Sequence, residues 1–454
     1  MNTIKHVSLS RFIMRILIYG INYAPELTGI GKYSAEMSEW LAGQGHSVDV
    51  ITAHPYYPEW QVHAPYQCKG WFSEIIQGVK VSRAPLFVPH KVTALTRMIH
   101  EFSFVATSFP YWLRALFSRR YDVVVCVAPA FHLAFSALLY TRMRQVPLIY
   151  HVQDLQVDAA KDLGMITSQP LLALLFKAEK FIMTYCTKVS TISEGMLQKI
   201  QEKGISRQKC ILFPNWVDQT HIRPVSKADS LRSAFGLIAT DKVIMYSGAL
   251  GEKQGLELII DVAQSLRNHK NLYFLIVGSG GASKKLQAMV DQYGLANVKF
   301  FPLQPYEKLP AALATADLHL VLQKKSASDL VMPSKLTGIL ASGGCSIVTA
   351  SPGTTLYNVV SDHQFGLLVE PESVEALRTA ITRALASNLD SYRLNARLYA
   401  EQYLSRENVL KTFEQNLLQV ANQTNQTVGP SSRPFIFRIP MTYPPRHYPG
   451  RTND

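Results

Sequence analysis

Two glycines one residue apart, Gly29 and Gly31, follow an apolar run at residues 15–21 and precede a helical stretch at 32–44. At a strand-to-helix turn such glycines leave backbone N–H groups uncovered, and the positive end of the helix dipole points where they point. The chemistry suggested is binding of a phosphate-bearing ligand; the alternative is that the turn alone requires the glycines. The second half repeats the device in YSGALGEKQGLELII, where Gly248, Gly251 and Gly255 surround Lys253, so that an ammonium group and backbone donors converge on a diphosphate, or Lys253 is simply solvated. In LIVGSGG, Gly278 and Gly280 give room for a base or ribose to approach the backbone, or form a close-packing turn. Pro333, Ser334 and Lys335 open a helix at 335–341 and offer a further anion site, unless Ser334 serves only as its cap.

Sugar chemistry has candidates in the first half. HVQD sets His151 and Asp154 at the carboxyl end of an apolar run at 147–152. The histidine can donate to a sugar hydroxyl or leaving oxygen, and Asp154 can orient it or accept from a hydroxyl; a structural strand-end histidine is the alternative. In HPYYPEW, at 54–60, Tyr56, Tyr57 and Trp60 beside Glu59 suit a pyranose ring and its hydroxyls, or merely pack the loop. Residues 97–120 interleave aromatics with Arg97, Arg114, Arg119 and Arg120. This reads as a pair of interfacial helices on the anionic inner leaflet of a membrane, or as an ordinary amphipathic helix with solvated basic ends. Exposure of the aromatics separates the two.

These residues need elements to hold them. Short apolar, β-branched runs at 15–21, 48–53, 122–127, 147–152 and 188–192 alternate with helical stretches, and the pattern restarts at 242–247, 272–277, 298–301, 318–322, 345–349 and 366–369. Such runs are the mark of buried parallel strands in a doubly wound sheet. The expected fold class is α/β, with two Rossmann-like doubly wound parallel-sheet domains facing a cleft, where the carboxyl ends of both sheets form the active site. The expected division is an N-terminal extension at 1–13, a first domain at 14–215, a second at 216–423, the two connected through PNWVD at 214–218, and a proline-rich flexible tail at 424–454. The last helix, at about 410–420, is a candidate to pack back on the first domain.

With 47% hydrophobic and 17% charged residues, the chain has ample material for two cores. Lysines and arginines number 46 against 33 acidic residues, a formal net charge of +13 that favours phosphorylated molecules, anionic lipid or nucleic acid. The basic residues are spread widely and no nucleic-acid motif accompanies them, so nucleic acid is the least favoured partner. Five cysteines without a C-x-x-C pair argue against a disulfide framework or zinc site and fit a reducing cytoplasm. No signal sequence or spanning segment is read, so a cytoplasmic protein, peripheral on the inner face of the membrane, is expected.

Taken in order, TGIGKY, HVQD, FPNWVD, SGALGEKQGLE, VGSGG, FFPLQPYEKLP and VMPSKLTGILASGG resemble the GT-B glycosyltransferases of family 4, over residues 14 to about 413. Within that family the likeness is to fucosyltransferases assigned to colanic acid biosynthesis. The resemblance implies retaining transfer from a nucleotide diphosphate sugar, GDP-fucose being the expected donor, to a lipid-linked saccharide. It implies no cofactor and no metal, and the chain's lack of a D-x-D pair agrees. By the family's pattern Gly29 and Gly31 lie near the donor phosphates, His151 near the transferred sugar, and Lys253 with the turn 333–335 around the diphosphate. The chain departs from the pattern where members commonly carry an Arg, here Ala249, and two Glu, here Leu330 and Gly338. Asp329 is the substitute carboxylate. The departures leave open a non-catalytic, nucleotide-sugar-binding component of a membrane polysaccharide assembly.

Overall fold

In β1 (Arg15–Tyr19) successive side chains serve two different cores: Leu17 and Tyr19 join one buried cluster, Ile16 and Ile18 another on the opposite face. A strand covered on both faces is apolar throughout, which is why it reads as a run rather than an alternation. The computed structural model describes residues 12–26, 29–162, 166, 168–251, 254–325 and 333–427. Most of the N-terminal extension, nearly all of the tail, Lys253 and Asp329 lie outside the described residues.

After β1 come α1 (Gly29–Gly43), β2 (Ser47–Ala53), β3 (Phe72–Ile76), β4 (Val79–Ala84), α2 (Ala94–Phe117), β5 (Val123–Ala128) and α3 (Leu133–Arg144). Then follow β6 (Leu148–Val152), α4 (Gln156–Asp162), α5 (Gln169–Tyr185), β7 (Lys188–Thr191), α6 (Glu194–Glu202) and β8 (Cys210–Leu212). They build an eight-stranded sheet in the order β3-β4-β2-β1-β5-β6-β7-β8, parallel except for β3, with Ile16 paired to both Val48 and Val123.

The second half contributes β9 (Lys242–Ser247), α7 (Glu257–Ser265), β10 (Leu272–Val277), α8 (Ser283–Tyr293), β11 (Val298–Phe301), α9 (Leu309–Leu313) and β12 (Leu318–Val321). It continues with α10 (Ser334–Ala341), β13 (Ser346–Thr349), α11 (Thr355–His363), β14 (Gly366–Val369), α12 (Val374–Leu385), α13 (Asp390–Tyr403) and α14 (Arg406–Thr427). Its six strands are all parallel, in the order β11-β10-β9-β12-β13-β14. The two doubly wound lobes expected from the sequence are therefore present.

Three expectations need correction. The hairpin β3–β4 turns on Gln77 and Gly78, both at positive φ, and extends the first sheet by two strands that the apolar-run criterion passes over. Helix α1 begins at Gly29, three residues before the expected start, so both glycines belong to its first turn. Residues 97–117 lie in one helix, not a pair: Pro110 sits inside α2, and Thr93 caps its start by accepting from the Thr96 N–H.

Helix α14 is last in sequence but packs on the first sheet. Leu410, Phe413 and Leu417 share a buried cluster with Ile16, Ile18 and Val125, and the Phe413 ring stacks on Phe213 with centroids 3.8 Å apart. His46 Nε2 lies 2.9 Å from Glu414 Oε1, both side chains being buried.

Candidate active site

The turn from β1 to α1 is organised by a buried carboxylate. Glu26, 3% exposed, accepts from the Tyr56 and Tyr57 backbone N–H groups through Oε1, each at 3.0 Å, and from Asn22 Nδ2 through Oε2 at 2.9 Å. Burial raises its pKa, and these three donors oppose the rise. Arg83, with no exposed surface, donates to the carbonyls of Ala24 and Ala53 and pairs with Glu74. One cation and one anion thereby tie the loops after β1 and β2 together. Gly31 follows from this: a Cβ there would stand 2.8 Å from Glu26 Oε2. Gly29 differs, with φ of +61° and nothing within 4 Å of an added Cβ. It leaves the start of α1 open to a ligand.

In the second lobe two glycine turns interlock. A Cβ on Gly278 would stand 2.0 Å from the Gly248 carbonyl oxygen, and one on Gly280 2.3 Å from that of Leu250. The Leu250 N–H donates to the Ser279 carbonyl at 2.9 Å. Gly278 and Gly280 are thus close-packing residues, and the room expected for a base or ribose at Gly278 is filled by protein backbone. Gly251 and Gly255 lie in the same loop, against Gln254 and Lys324.

Beside this loop Lys335 reaches back from the start of α10. Its Nζ lies 3.6 Å from the Tyr246 ring centroid, and Gly248, at φ of +142°, carries no side chain that would crowd the ammonium group. It has no hydrogen-bond partner among the described residues, and burial pushes its pKa down to about 7. The Tyr246 hydroxyl is already used, donating to the Ala249 carbonyl at 2.7 Å. Pro333 precedes α10, and no side chain caps the helix; Ser334 is its first residue and is exposed, so it is not the cap. A buried amine lacking a counter-charge among the described residues, next to uncapped N–H groups, makes a strong anion site.

The two lobes bring such sites face to face. Tyr33, one turn into α1, lies close to Thr337, one turn into α10, and Lys32 Nζ lies 5.3 Å from the Tyr306 ring. At a second contact Gly195 of α6 abuts Thr355 of α11 so closely that a Cβ would stand 2.0 Å from Thr355 Oγ1. The starts of α1, α6, α10 and α11 therefore converge on the space between the sheets, and the combined field there favours a polyanion.

The sugar-side candidates divide. His151 is 2% exposed; its Nδ1 donates to Ser190 Oγ at 2.9 Å and its Nε2 accepts from Gln153 Nε2 at 2.8 Å. Burial pushes its pKa down to about 3. Both ring nitrogens are thus engaged within the protein, by Ser190 and Gln153. Asp154, half-buried, follows the end of β6. Tyr56 is buried against Trp60 and His100 rather than presented to a ligand, whereas Tyr57 and Glu59 are exposed and Trp60 half-buried. A cavity of about 430 Å³ lies behind α1, lined by Glu36, Glu39, Trp40, His46 and Arg406, and holds none of the expected site residues.

Sequence reasoning missed Glu26, Arg83 and Tyr246. Glu26 sits in PEL and reads as a solvated loop residue; only its place between the first strand and the glycine turn could have marked it.

Known proteins match both lobes. The family described as Glycosyl transferases group 1 matches residues 228–403, and the Glycosyl transferase 4-like domain matches 28–216. The chain is 44% identical to WcaI of Escherichia coli (strain K12), a glycosyl transferase assigned provisionally to colanic acid biosynthesis, over 88% of this chain and 98% of that protein. Among solved structures, sucrose-phosphate synthase of Thermosynechococcus elongatus superposes with a TM-score of 0.72 at 18% identity, covering 90% of this chain and all of that one. Anabaena HepE, solved with UDP-glucose, gives 0.66 at 14% identity, covering 89% of this chain and all of its own.

Proposed function

We infer, since this chain belongs to the group 1 glycosyltransferases and carries a 4-like first lobe, that it moves a sugar from a nucleotide diphosphate sugar to a lipid-linked saccharide. Lys335 carries the reading: a buried amine with no counter-charge among the described residues, at the start of a helix that faces a second helix start across the lobes. A diphosphate supplies the missing charge. That Anabaena HepE binds a nucleotide sugar in the same fold supports this choice of anion.

In the reaction the bond from the sugar's anomeric carbon to the diphosphate oxygen breaks while the acceptor oxygen bonds that carbon on the same face. The acceptor's proton passes to the departing diphosphate, so no protein nucleophile is required and configuration is retained. Negative charge grows on the leaving group, where Lys335, the N–H groups opening α1 and α10 and, by the family's pattern, Lys253 stabilise it in place of a divalent ion. Asp154 is assigned to the sugar side, and Tyr57, Glu59 and Trp60 to the acceptor, with Asp329 as the nucleotide carboxylate. Likeness to WcaI supports a colanic acid-type exopolysaccharide as the destination, and GDP-fucose is the donor proposed for it.

The test is transfer itself. Purified protein, membranes containing lipid-linked saccharides and a panel of labelled nucleotide sugars are incubated, and the lipid fraction is analysed by mass spectrometry. A lipid heavier by one deoxyhexose, formed from GDP-fucose, is expected. Nucleotide binding with no labelled lipid from any donor would instead identify a non-catalytic binding component.

A further inference from the structure

Helix α2 is apolar on two sides. Phe104, Trp112 and Ala115 pack inward against the sheet, while Leu95, Ile99, Phe102, Phe109, Leu113 and Phe117 form a second stripe at spacings of three to seven residues that faces away from it. Phe117 is 81% exposed. Over its 24 residues the helix is about 36 Å long. A helix on a sheet needs one apolar face, so the second has another use.

The stripe is part of a wider surface. Helix α3 packs beside α2, and α5 beside α3. Their outward sides carry Phe135, Leu139 and Met143 on α3, and Leu174 and Phe181 on α5, with Leu139 and Leu174 both at least 60% exposed. Ring contacts join the helices: Phe102 stacks on His132 at 4.3 Å, Phe135 lies 6.3 Å from Phe181, and Arg142 covers Tyr185 at 5.3 Å.

Charge decides what covers it. The three helices contain two carboxylates, Glu101 and Glu179, and both are buried in ion pairs, with Arg97 and with Lys203. The exposed charges are all cations: Arg114, Arg142, Lys177 and Lys180 on the helices, with Arg119 just beyond α2. An apolar protein partner would fit the stripe, but a surface of apolar side chains and cations without an exposed anion matches anionic headgroups above acyl chains. Among the described residues no helix is long and apolar enough to cross a membrane, so the contact is one of lying on the bilayer.

We propose that the outward faces of α2, α3 and α5 together form a docking platform for an anionic lipid bilayer, in which the apolar side chains enter the interface and the cations meet the headgroups. The platform widens the surface expected at 97–120 by two helices. It rests on the reading of a lipid-linked acceptor, because the loop carrying Tyr57 and Trp60 packs on α2 through the contacts of His100 with Tyr56 and Trp60, at 4.4 and 5.2 Å. A lipid held in the bilayer beside α2 thus has its saccharide next to the acceptor loop.

Flotation of the full chain with vesicles tests the platform, using phosphatidylcholine alone and phosphatidylcholine mixed with phosphatidylglycerol. Binding to the mixed vesicles, weakened by salt, is expected. Leu139→Glu and Phe117→Glu are each expected to reduce it by about tenfold or more. Leu394→Glu, on an exposed position of α13, is the control and is expected to change nothing. Unaltered melting temperature and nucleotide binding show that the variants fold. Failure of the wild type to bind either vesicle, or equal binding by all three variants, overturns the platform; a wild type that ignores lipid yet binds a membrane protein does so too. Transfer to a short-chain, vesicle-free acceptor separates the two ideas: if it proceeds while vesicle binding fails, only the platform falls, and if it fails while vesicles bind, only the transfer reading falls.

Discussion

The ammonium group of Lys335 lies over the ring of Tyr246, 3.6 Å from its centroid, at the point where the first glycine turn of the second lobe passes. The ring face gives a cation partial compensation, but it does not replace a counter-anion. Burial takes the Lys335 pKa down to about 7.

A pH dependence follows with a definite sign. A bound diphosphate favours the charged amine, so binding takes up a proton above pH 7. Nucleotide diphosphate affinity is expected to fall as pH rises beyond about 7, by up to about tenfold per unit until the pKa of the complex is reached. Calorimetry at pH 8 in buffers of different ionisation enthalpy measures the uptake directly. Lys335→Met is expected to abolish both effects and to lower affinity at pH 7; unchanged pH dependence in that variant would remove Lys335 from the site.

Without ligand the same shift acts on stability. The unfolded chain holds its lysine proton up to about pH 10.5, while the folded chain releases it near 7, so the unfolded state binds more protons between those values. The penalty of the buried charge is therefore full below pH 7 and disappears as pH rises towards 10.5. Lys335→Met is expected to stabilise the free protein at pH 6 and to have little effect at pH 10, by chemical denaturation.

Glu26 offers a separation of kinetic constants. Glu26→Ala leaves the Tyr56 and Tyr57 amides without their acceptor and frees the loop carrying Tyr57, Glu59 and Trp60. A KM for acceptor raised by about tenfold, with nucleotide affinity changed far less, is expected. Glu26→Gln keeps one oxygen for both amides and is expected to recover most of the loss. Equal damage by both variants would assign the charge, not the clamp, to catalysis.

Gly195 reports on closure. Alanine is favoured over glycine within a helix by about 1 kcal/mol, yet here its Cβ would stand 2.0 Å from Thr355 Oγ1 and 2.9 Å from Thr355 Cβ. Gly195→Ala is expected to leave thermal stability intact while separating the lobes, visible as a larger radius of gyration and a kcat lower by about tenfold or more. Adding Thr355→Ala relieves the closest contact and is expected to restore part of the rate.

Chelation gives a further check on the assignment of charge to lysines and helix ends. Transfer is expected to persist in excess EDTA; loss of activity with recovery on adding back a divalent ion would refute it.

The central strands of both sheets were legible because each is buried on two faces and so spells an apolar run, as VVVCVA does in β5, whereas the three-residue β8 at the sheet edge was passed over. The hairpin β3–β4 was not, since FSEII and VKVSRA alternate and resemble surface sequence until Gln-Gly is recognised as a two-residue turn. Lys335 could be picked out because proline and serine announce a helix start just before it. What no spacing rule conveys is direction: His151 occupies the expected strand end but turns inward to Ser190, and Glu26 lies in a loop yet is almost wholly enclosed.

Helix α14 closes a face of the first sheet from the far end of the chain. On the ribosome that face stays bare until residues 216–405 have been made, so the lobe begun first is the one finished last. The same arrangement means that cutting the gene at residue 215 yields a fragment lacking its own lid; an excised first lobe needs residues 406–427 supplied alongside, or spliced to its front by circular permutation.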